Sequence, residues 1–364
     1  MDFVSFESFE PADNRKDITR QTGDGIRMTI RDVAEKSGVS VSTVSRVLNN
    51  HPDVSESVRA KVLDAVRQLH YVPNDSARDL VRTQSDSIGV IVRGAENPFF
   101  TSLIRSIEQE VAKTGYTMVL HQIKAGEDEL LAGAMLSRTK RLRGLILLGG
   151  RFDYSEEQAA KLDVPFVCCT FTNSFGDLGQ DEYSSVSIDD QAEAYRAVKM
   201  LTDKGHRKIG VLLDSVNDHS ISELRYLGYR KALEDAGILF EDSLVAETTE
   251  YNMESAYRAT IALLKRRPDI TAIFSTADSM GIAAMKALHD AGRRVPEDCS
   301  LISIDGIEMS LYTVPTMTTL IQPTEVMGAE AVQALIEVIQ GSGAHCHLRL
   351  DTRVREGGTI AEAS

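Results

Sequence analysis

The spacing of apolar residues divides the chain into a short helical segment and a long segment in which strands and helices alternate. Between Thr29 and Leu80 the apolar positions recur every three or four residues, as they do in short amphipathic helices. From Ser87 onward, apolar runs such as residues 88–92 alternate with helical periods, which is typical of parallel sheets. The two patterns predict a small helical domain followed by an α/β body.

Three short helices are predicted in the first segment. The first begins at Thr29, which fits a capping box with Asp32, and ends before Gly38, since glycine readily adopts the left-handed conformation that closes a helix. Ser40 can cap the second helix. Its inward positions are apolar: Val44, Val47 and Leu48. The third helix has an apolar stripe of four residues: Val58, Val62, Val66 and Leu69.

The second helix exposes a face of short or hydrogen-bonding side chains: Val41, Ser42, Ser45 and Arg46. A helix that ends at a glycine turn and restarts at once with such a face is typical of a helix-turn-helix. Short side chains let a helix enter the major groove of DNA, where serine, threonine and arginine bind base edges or phosphates. An ordinary three-helix domain with a solvated polar face has the same periodicity, so the pattern alone leaves both interpretations open.

The formal charge of −14 at first argues against a nucleic-acid partner. The charge is unevenly distributed, however, because residues 28–86 contain eight Lys or Arg and eight Asp or Glu and are therefore neutral. A neutral DNA-binding segment must place its cations on one face, and Arg46, Arg78 and Arg82 are the candidates. We expect weak non-specific DNA binding and a requirement for dimerisation.

Length and composition limit the remaining possibilities. A chain of 364 residues is expected to contain two or three domains. No apolar run approaches the ~20 residues of a membrane span, and the N-terminus lacks the basic and apolar regions of a signal peptide. The four cysteines form no CxxC pair, as is usual in a reducing compartment. We therefore expect a cytoplasmic protein without membrane contact.

The second segment contains two series of strands and helices. The second series starts near Asp190, with strands predicted at residues 209–213, 272–275 and 301–304. Two such series predict two α/β lobes with parallel sheets. Ligands in this architecture bind at the carboxyl ends of the strands, in the cleft between the lobes.

Several motifs together resemble the headpiece of the lactose-repressor (LacI/GalR) family. They are TIRDVA at 29–34, GVS at 38–40, TVSRVLN at 43–49, VS at 54–55 and YVPN at 71–74. The resemblance extends through the ligand-binding body to about the end of the chain. It implies an α/β fold with an N-terminal helix-turn-helix headpiece and a two-lobed, periplasmic-binding-protein-like body.

The resemblance implies a sequence-specific transcriptional regulator, usually a repressor, that binds a pseudo-palindromic DNA operator as a homodimer or tetramer. It assigns DNA contacts to eleven positions: Thr29, Ser40, Val41, Ser42, Thr43, Ser45, Arg46, Asn49, Asn74, Ala77 and Leu80. Leu80 matches the leucine that the family wedges into the minor groove, where an apolar side chain unstacks a base step and kinks the duplex. A polar linker in which Leu80 packs against the body is the alternative.

The resemblance also implies domain boundaries. Residues 1–27 show no helical or strand period, and we expect a disordered extension there. The headpiece spans 28–74, the hinge helix and linker 75–86, and the effector-binding and dimerisation domain 87–364. Within that domain the expected lobes are about 87–188 plus 321–345, and about 189–320 plus the C-terminal end.

The family binds a small-molecule effector in the cleft, and the resemblance favours a carbohydrate. It assigns the effector to eight positions: Asn97, Phe99, Phe100, Thr170, Arg225, Tyr251, Ala277 and Asp305. At Thr170, Ala277 and also Gly94, this chain lacks polar residues that sugar-binding members often carry. Their loss favours a less hydroxylated ligand, or one that is held differently. Control by a protein co-regulator is the main alternative.

No motif for catalysis or for a cofactor stands out. The sequence contains no GxGxxG, P-loop or GxSxG, so an α/β enzyme has no support. His345, Cys346 and His347 lack a further suitably spaced metal ligand, so an exposed strand or loop is the favoured interpretation and no metal is expected. A solute-binding transport protein with the same body is opposed by the headpiece and by the lack of a signal peptide.

Overall fold

The computed structural model describes residues 28–48, 51–69, 71 and 85–363. These residues belong to two compact units, a helical unit before residue 82 and a larger α/β unit from residue 82 onward. The predicted N-terminal extension at 1–27 and most of the predicted hinge lie outside the described residues.

The helical unit contains the three predicted helices: α1 Ile30–Ser37, α2 Val41–Leu48 and α3 Glu56–Gln68. The carboxylate of Asp32 accepts hydrogen bonds from the Thr29 N–H at 2.6 Å and from its hydroxyl at 2.8 Å, so α1 begins where predicted. Gly38 closes α1 in the left-handed conformation with φ +68°. The Ser40 hydroxyl caps α2 by accepting from the Thr43 N–H at 3.1 Å.

The core of this unit comes from all three helices. Its fully buried members are apolar: Val33, Ala34, Val44, Val47, Val62 and Ala65. The remaining residues of the predicted stripe on α3, Val58, Val66 and Leu69, are half-buried against this core. The opposite face of α2 is thereby left outward.

The first lobe of the α/β unit has a six-stranded parallel sheet in the order β11-β5-β4-β3-β1-β2. Its strands are β1 Ser87–Arg93, β2 Thr117–Ile123, β3 Gly144–Leu148, β4 Phe166–Cys169, β5 Ser184–Ser187 and β11 His347–Arg349. Its helices are α4 Phe99–Val111, α5 Glu129–Lys140, α6 Glu156–Ala159 and α11 Thr324–Gln340. Burial of all five residues of β3 shows that helices cover both faces of the sheet.

The second lobe has a six-stranded sheet in the order β12-β10-β9-β8-β6-β7, parallel except for the antiparallel β10–β12 pair. Its strands are β6 Ile209–Leu213, β7 Val245–Glu247, β8 Ala272–Ser275, β9 Ser300–Asp305, β10 Thr318–Ile321 and β12 Arg353–Arg355. Its helices are α7 Asp190–Asp203, α8 Ile221–Asp235, α9 Met253–Arg266 and α10 Asp278–Asp290. The chain passes between the lobes at residues 187–190, 321–324 and 349–353.

Some predicted elements differ in their ends. The periodic apolar stripe of residues 100, 103, 104, 107 and 111 followed by Gly115 predicts a helix up to Gly115, but α4 ends at Val111 and a turn leads from there to Gly115, which has φ +79°. Strand β5 was not predicted because three of its four residues are serines. Two of those hydroxyls are hydrogen-bonded next to β11, Ser184 to His345 at 3.0 Å and Ser185 to His347 at 2.8 Å. Polar side chains can therefore occupy a buried strand here.

Among the described residues, no helix is both long enough and apolar enough to cross a membrane. The same residues contain no cluster of three or more His, Cys, Asp or Glu side chains placed to hold a metal ion. His206, in the turn after α7, is buried between the Thr271 hydroxyl at 2.9 Å and the Ala361 carbonyl at 3.1 Å. These contacts give His206 a structural role.

Candidate functional site

The outward face of α2 carries most of the predicted DNA-contacting residues that the structure describes. Val41, Ser42 and Arg46 are exposed, and Ser45 is half-buried beside them. Ser40 and Thr43 instead engage their hydroxyls with each other at 2.8 Å at the start of α2. Thr29 is exposed at the start of α1. The other predicted contacts, Asn49, Asn74, Ala77 and Leu80, lie outside the described residues, as do Arg78 and Arg82.

A cavity of about 120 Å³ lies between the two lobes, at the carboxyl ends of strands from both sheets. Seven of the eight predicted effector-binding residues line it: Asn97, Phe99, Phe100, Thr170, Arg225, Tyr251 and Asp305. Gly94 lines it as well. Residues that are distant in sequence and belong to different lobes therefore meet at one site.

Asn97 connects the two walls of this cavity. Its Oδ1 accepts a hydrogen bond from the Phe99 N–H at 3.1 Å and so fixes the start of α4. Its Nδ2 donates to the hydroxyl of Tyr251, in the other lobe, at 3.3 Å. Phe99 and Phe100 are held by the apolar core of the first lobe. The asparagine amide is thus oriented by its own helix toward the opposite lobe.

Arg225 is almost completely buried and is bound by groups of its own lobe. Its Nε donates to Asp190 Oδ1 at 3.0 Å, and its Nη1 donates to the Thr276 carbonyl oxygen. Nη1 also lies 3.5 Å from Asp305 Oδ1. Nη2 is 2.9 Å from Asp190 Oδ1 but outside hydrogen-bonding alignment, so it keeps capacity to donate. The guanidinium is therefore positioned before any ligand arrives.

The two acids beside Arg225 are poised to change charge. Burial raises the pKa of Asp190 to about 6 and that of Asp305 to about 7, although the nearby Arg225 guanidinium lowers both. Asp305 Oδ1 also accepts from Gln322 Nε2 at 2.9 Å. Asp305 Oδ2 is buried with no hydrogen-bond partner, and a ligand hydroxyl could supply one. Asp305 also has φ +135°, a strained conformation for a residue with a side chain.

Ala277 is the one predicted effector-binding residue that does not line the cavity. It is fully buried in the apolar core of the second lobe, at the cap of α10. The following residue, Asp278, is an acid at the start of α10, and such a position predicts a helix cap, but this prediction is wrong. Its carboxylate accepts from the N–H groups of Gly306 at 3.0 Å and Ile307 at 2.9 Å and ties down the turn after β9.

Further lining residues were not predicted. They include Arg93, Phe152, Asp214, Asp218, Ser220 and Gln322. Three of them could have been found from the sequence, because Arg93 ends β1, Asp214 follows β6 and Gln322 follows β10. The Asp214 carboxylate accepts from the Thr248 hydroxyl at 3.0 Å, and burial raises its pKa. Sugar-binding members often carry polar residues at the positions of Gly94 and Thr170, which this chain lacks. The cavity instead contains polar groups at other positions.

Known proteins resemble the chain over almost its full length. Residues 29–74 match the family described as "Bacterial regulatory proteins, lacI family", and residues 182–360 match the "Periplasmic binding protein-like domain". The HTH-type transcriptional regulator MalR of Clostridium butyricum is 41% identical over 333 residues, which cover 90% of this chain and 98% of that protein. The chain belongs to the lacI family of bacterial regulatory proteins. It is a DNA-binding transcriptional regulator with a helix-turn-helix unit and a periplasmic-binding-protein-like body.

Solved structures of lacI-family proteins have the same fold. The lac repressor dimer bound to operator and the anti-inducer ONPF has a TM-score of 0.74 and 25% identity, and the match covers 92% of this chain and 99% of that one. The CelR–cellobiose complex has a TM-score of 0.68 and 29% identity, with 92% and 100% covered. The predicted fold class is confirmed.

Proposed function

We propose that this regulator is a repressor whose affinity for its operator is controlled by a small hydroxylated ligand, a carbohydrate, bound between the lobes. One observation carries the proposal. The cavity combines aromatic rings from the first lobe with an ordered arginine and a carboxylate from the second. Aromatic rings stack on sugar rings, and arginine and carboxylate groups bind neighbouring hydroxyls.

The size of the cavity favours a ligand with one ring. An apolar cavity of about 150 Å³ in another protein holds benzene. The cavity of about 120 Å³ is of that order and suits a monosaccharide ring more readily than two linked rings. A disaccharide such as the cellobiose of the CelR complex would require the lobes to separate further.

Two alternatives follow from the missing polar residues: a ligand with fewer hydroxyls, or a ligand held by other residues than in sugar-binding members. The polar residues that line the cavity favour the second. Asp214 and Asp218 contribute carboxylates to the lining, and each already accepts a hydrogen bond from a hydroxyl, that of Thr248 and that of Ser220. Hydroxyl groups are suitable donors to such carboxylates. These acids compensate for the positions, such as Thr170, that lack the usual polar groups.

DNA binding is proposed to use a homodimer on a pseudo-palindromic operator, as in the lac repressor dimer bound to its operator. Tetramers and a cytoplasmic location are part of the same expectation. The proposed reading surface is the α2 face with Arg46 at its centre. The contacts of Asn49, Asn74, Ala77 and Leu80, and the boundaries of the headpiece at 28–74 and the hinge at 75–86, remain predictions.

The experiment starts with operator selection from random duplexes, followed by fluorescence anisotropy of the selected DNA with a panel of monosaccharides, disaccharides, sugar phosphates, nucleosides and small acids. Thermal shift with the same panel gives an independent signal, because a ligand at 100 times its Kd stabilises by about 2.7 kcal/mol. We expect a sugar to shift both readouts and to lose its effect in Arg225→Lys. Selected DNA with no response to any compound would contradict the carbohydrate proposal and favour a protein co-regulator.

A further inference from the structure

His219, in the loop between β6 and α8, contacts the first lobe in three ways. Its carbonyl oxygen accepts a hydrogen bond from the Phe152 N–H at 2.8 Å. Its Nδ1 lies 3.3 Å from Asp153 Oδ2, and its ring stacks on Phe175 with centroids 5.1 Å apart and planes at 24°. Backbone, charge and ring contacts from this residue all bridge the two lobes.

His219 adopts a left-handed backbone conformation with φ +53°. This conformation disfavours a residue with a side chain by about 1–2 kcal/mol, although histidine tolerates it better than most. It is fixed from within the second lobe as well, since the His219 N–H donates to Glu223 Oε2 at 2.8 Å. Contacts on both sides therefore determine where this residue lies.

The neighbours of His219 form part of the cavity wall. Asp218 and Ser220 both line the cavity, and Asp218 Oδ1 accepts from the Ser220 N–H at 3.1 Å and from its hydroxyl at 2.7 Å. On the first lobe, Phe152 lines the cavity too. His219 therefore lies between two residues of the cavity wall on the second lobe. Its hydrogen bond with Phe152 joins that wall to the wall on the first lobe.

We propose that His219 is a positioning residue that latches the two lobes together through its backbone carbonyl, its contact with Asp153 and its ring stacked on Phe175. The second lobe fixes the residue through Glu223, so the contacts with the first lobe are made from a defined position.

The strength of the latch is limited by its exposure. The side chains of His219 and Asp153 are 45% and 24% exposed, and Arg151 Nη2 already lies 2.7 Å from the same Asp153 oxygen. Burial alone would raise the pKa of Asp153, but the hydrogen bonds from Arg151 and His219 outweigh it and lower that pKa. A partly exposed pair of this kind changes an equilibrium by about two- to fivefold.

Hydrogen exchange of the full chain tests the latch without a ligand, because the Phe152 N–H is itself the donor to His219. The Leu145 N–H, bonded to the Pro165 carbonyl at 3.0 Å within the first lobe, is the internal reference. Relative to that reference, we expect protection of the Phe152 amide to fall two- to fivefold when the ring of His219 is removed.

Two variants separate the contributions of the ring and the backbone. His219→Asn keeps a side chain that tolerates the left-handed conformation but removes the stacking on Phe175, so protection should fall two- to fivefold. His219→Ala removes the ring and also adds backbone strain, so protection should fall further. His121→Asn, at an exposed histidine on β2, is the matched control and should behave like the parent.

The proposal is overturned if His219→Ala leaves the Phe152 amide as protected as in the parent, or if His121→Asn exposes it equally. The consequence for the ligand rests on the proposed function. With cellobiose and glucose as probes, a sugar that binds the parent should bind His219→Ala more weakly. If neither sugar binds the parent, the exchange result still decides the latch.

Discussion

Arg225 Nη1 lies 3.5 Å from Asp305 Oδ1, and both side chains are almost completely buried at the wall of the cleft. Asp190 holds the same guanidinium from the other side at 3.0 Å. One arginine thus faces two acids in a region with little water, where two carboxylates and one cation would leave an uncompensated negative charge. The charge of the cleft is therefore expected to change close to neutral pH.

Replacing Arg225 tests the structural part of its role. Arg225→Gln leaves the buried Asp190 and Asp305 without their cation, and breaking such a pair typically costs about 3–5 kcal/mol. The loss should be larger at pH 8 than at pH 5, because protonated acids do not need the cation. Thermal unfolding of the parent and the variant at both pH values measures this. An equal loss of Tm at the two pH values would show that the acids are not coupled to Arg225.

Asp305→Asn tests the raised pKa directly. The pKa of Asp305 in the fold is about 7, above the ordinary value of about 3.9, so its contribution to stability is present below about pH 4 and is lost as pH rises toward 7. Relative to the neutral Asn variant, the free energy of unfolding of the parent should fall by up to about 1.4 kcal/mol per pH unit in this window.

The measurement is the difference in Tm between parent and Asp305→Asn from pH 4 to pH 8. The Tm of the variant should rise relative to that of the parent as pH increases, and the difference should level off above pH 7. Asp269→Asn is the flat control, since hydrogen bonds from Arg267 and Lys208 lower the pKa of that exposed acid and its effect on stability is therefore almost constant from pH 4 to pH 8. If the Tm of the parent instead rises relative to that of Asp305→Asn with increasing pH, the folded protein prefers the carboxylate form of Asp305.

The sequence predicted the parts of the fold that depend on periodicity and caps. Strands β6 and β8 have the predicted ends because each is a short apolar run that helices cover on both faces. Strand β5 escaped prediction because its serines have no apolar period. What permits their burial is contact with His345 and His347, about 160 residues away in the chain, and local pattern carries no such information.

The site could be predicted where a residue ends a strand, and less well elsewhere. Asp305 and Thr170 fit that rule, and Arg93 and Asp214 would have been found by applying it to every strand. Ala277 also follows a strand, but its side chain turns into the apolar core instead of the cavity. Which way a side chain points after a strand depends on the turn that follows, and one sequence does not specify that turn.

Arg46→Ala tests the proposed DNA-reading face. Arg46 is exposed on α2, away from the apolar core of the helical unit, so its removal should leave folding intact. A lost arginine contact to a base costs about 1–3 kcal/mol, or roughly 5- to 150-fold in Kd for selected operator DNA. Arg67→Ala on α3 is the matched control, because Arg67 is 77% exposed in the same unit but on another helix. Equal losses in both variants, measured by fluorescence anisotropy, would indicate general charge and not a reading contact.

Gly149→Ala tests how closely the cavity wall is packed. Gly149 has φ +69°, and an added Cβ would lie 2.7 Å from the Arg93 carbonyl oxygen and 2.8 Å from the Phe100 ring. Gly237→Ala is the matched control, since Gly237 has φ +65° but no atom within 4 Å of an added Cβ. Backbone strain should destabilise both variants by about 1–2 kcal/mol, and overpacking should add about 1–3 kcal/mol only at Gly149. Thermal unfolding gives the difference, and a sugar that binds the parent should bind Gly237→Ala normally and Gly149→Ala weakly. Equal stability of the two variants would mean that Phe100 and the end of β1 yield easily, and that this wall does not set the size of the ligand.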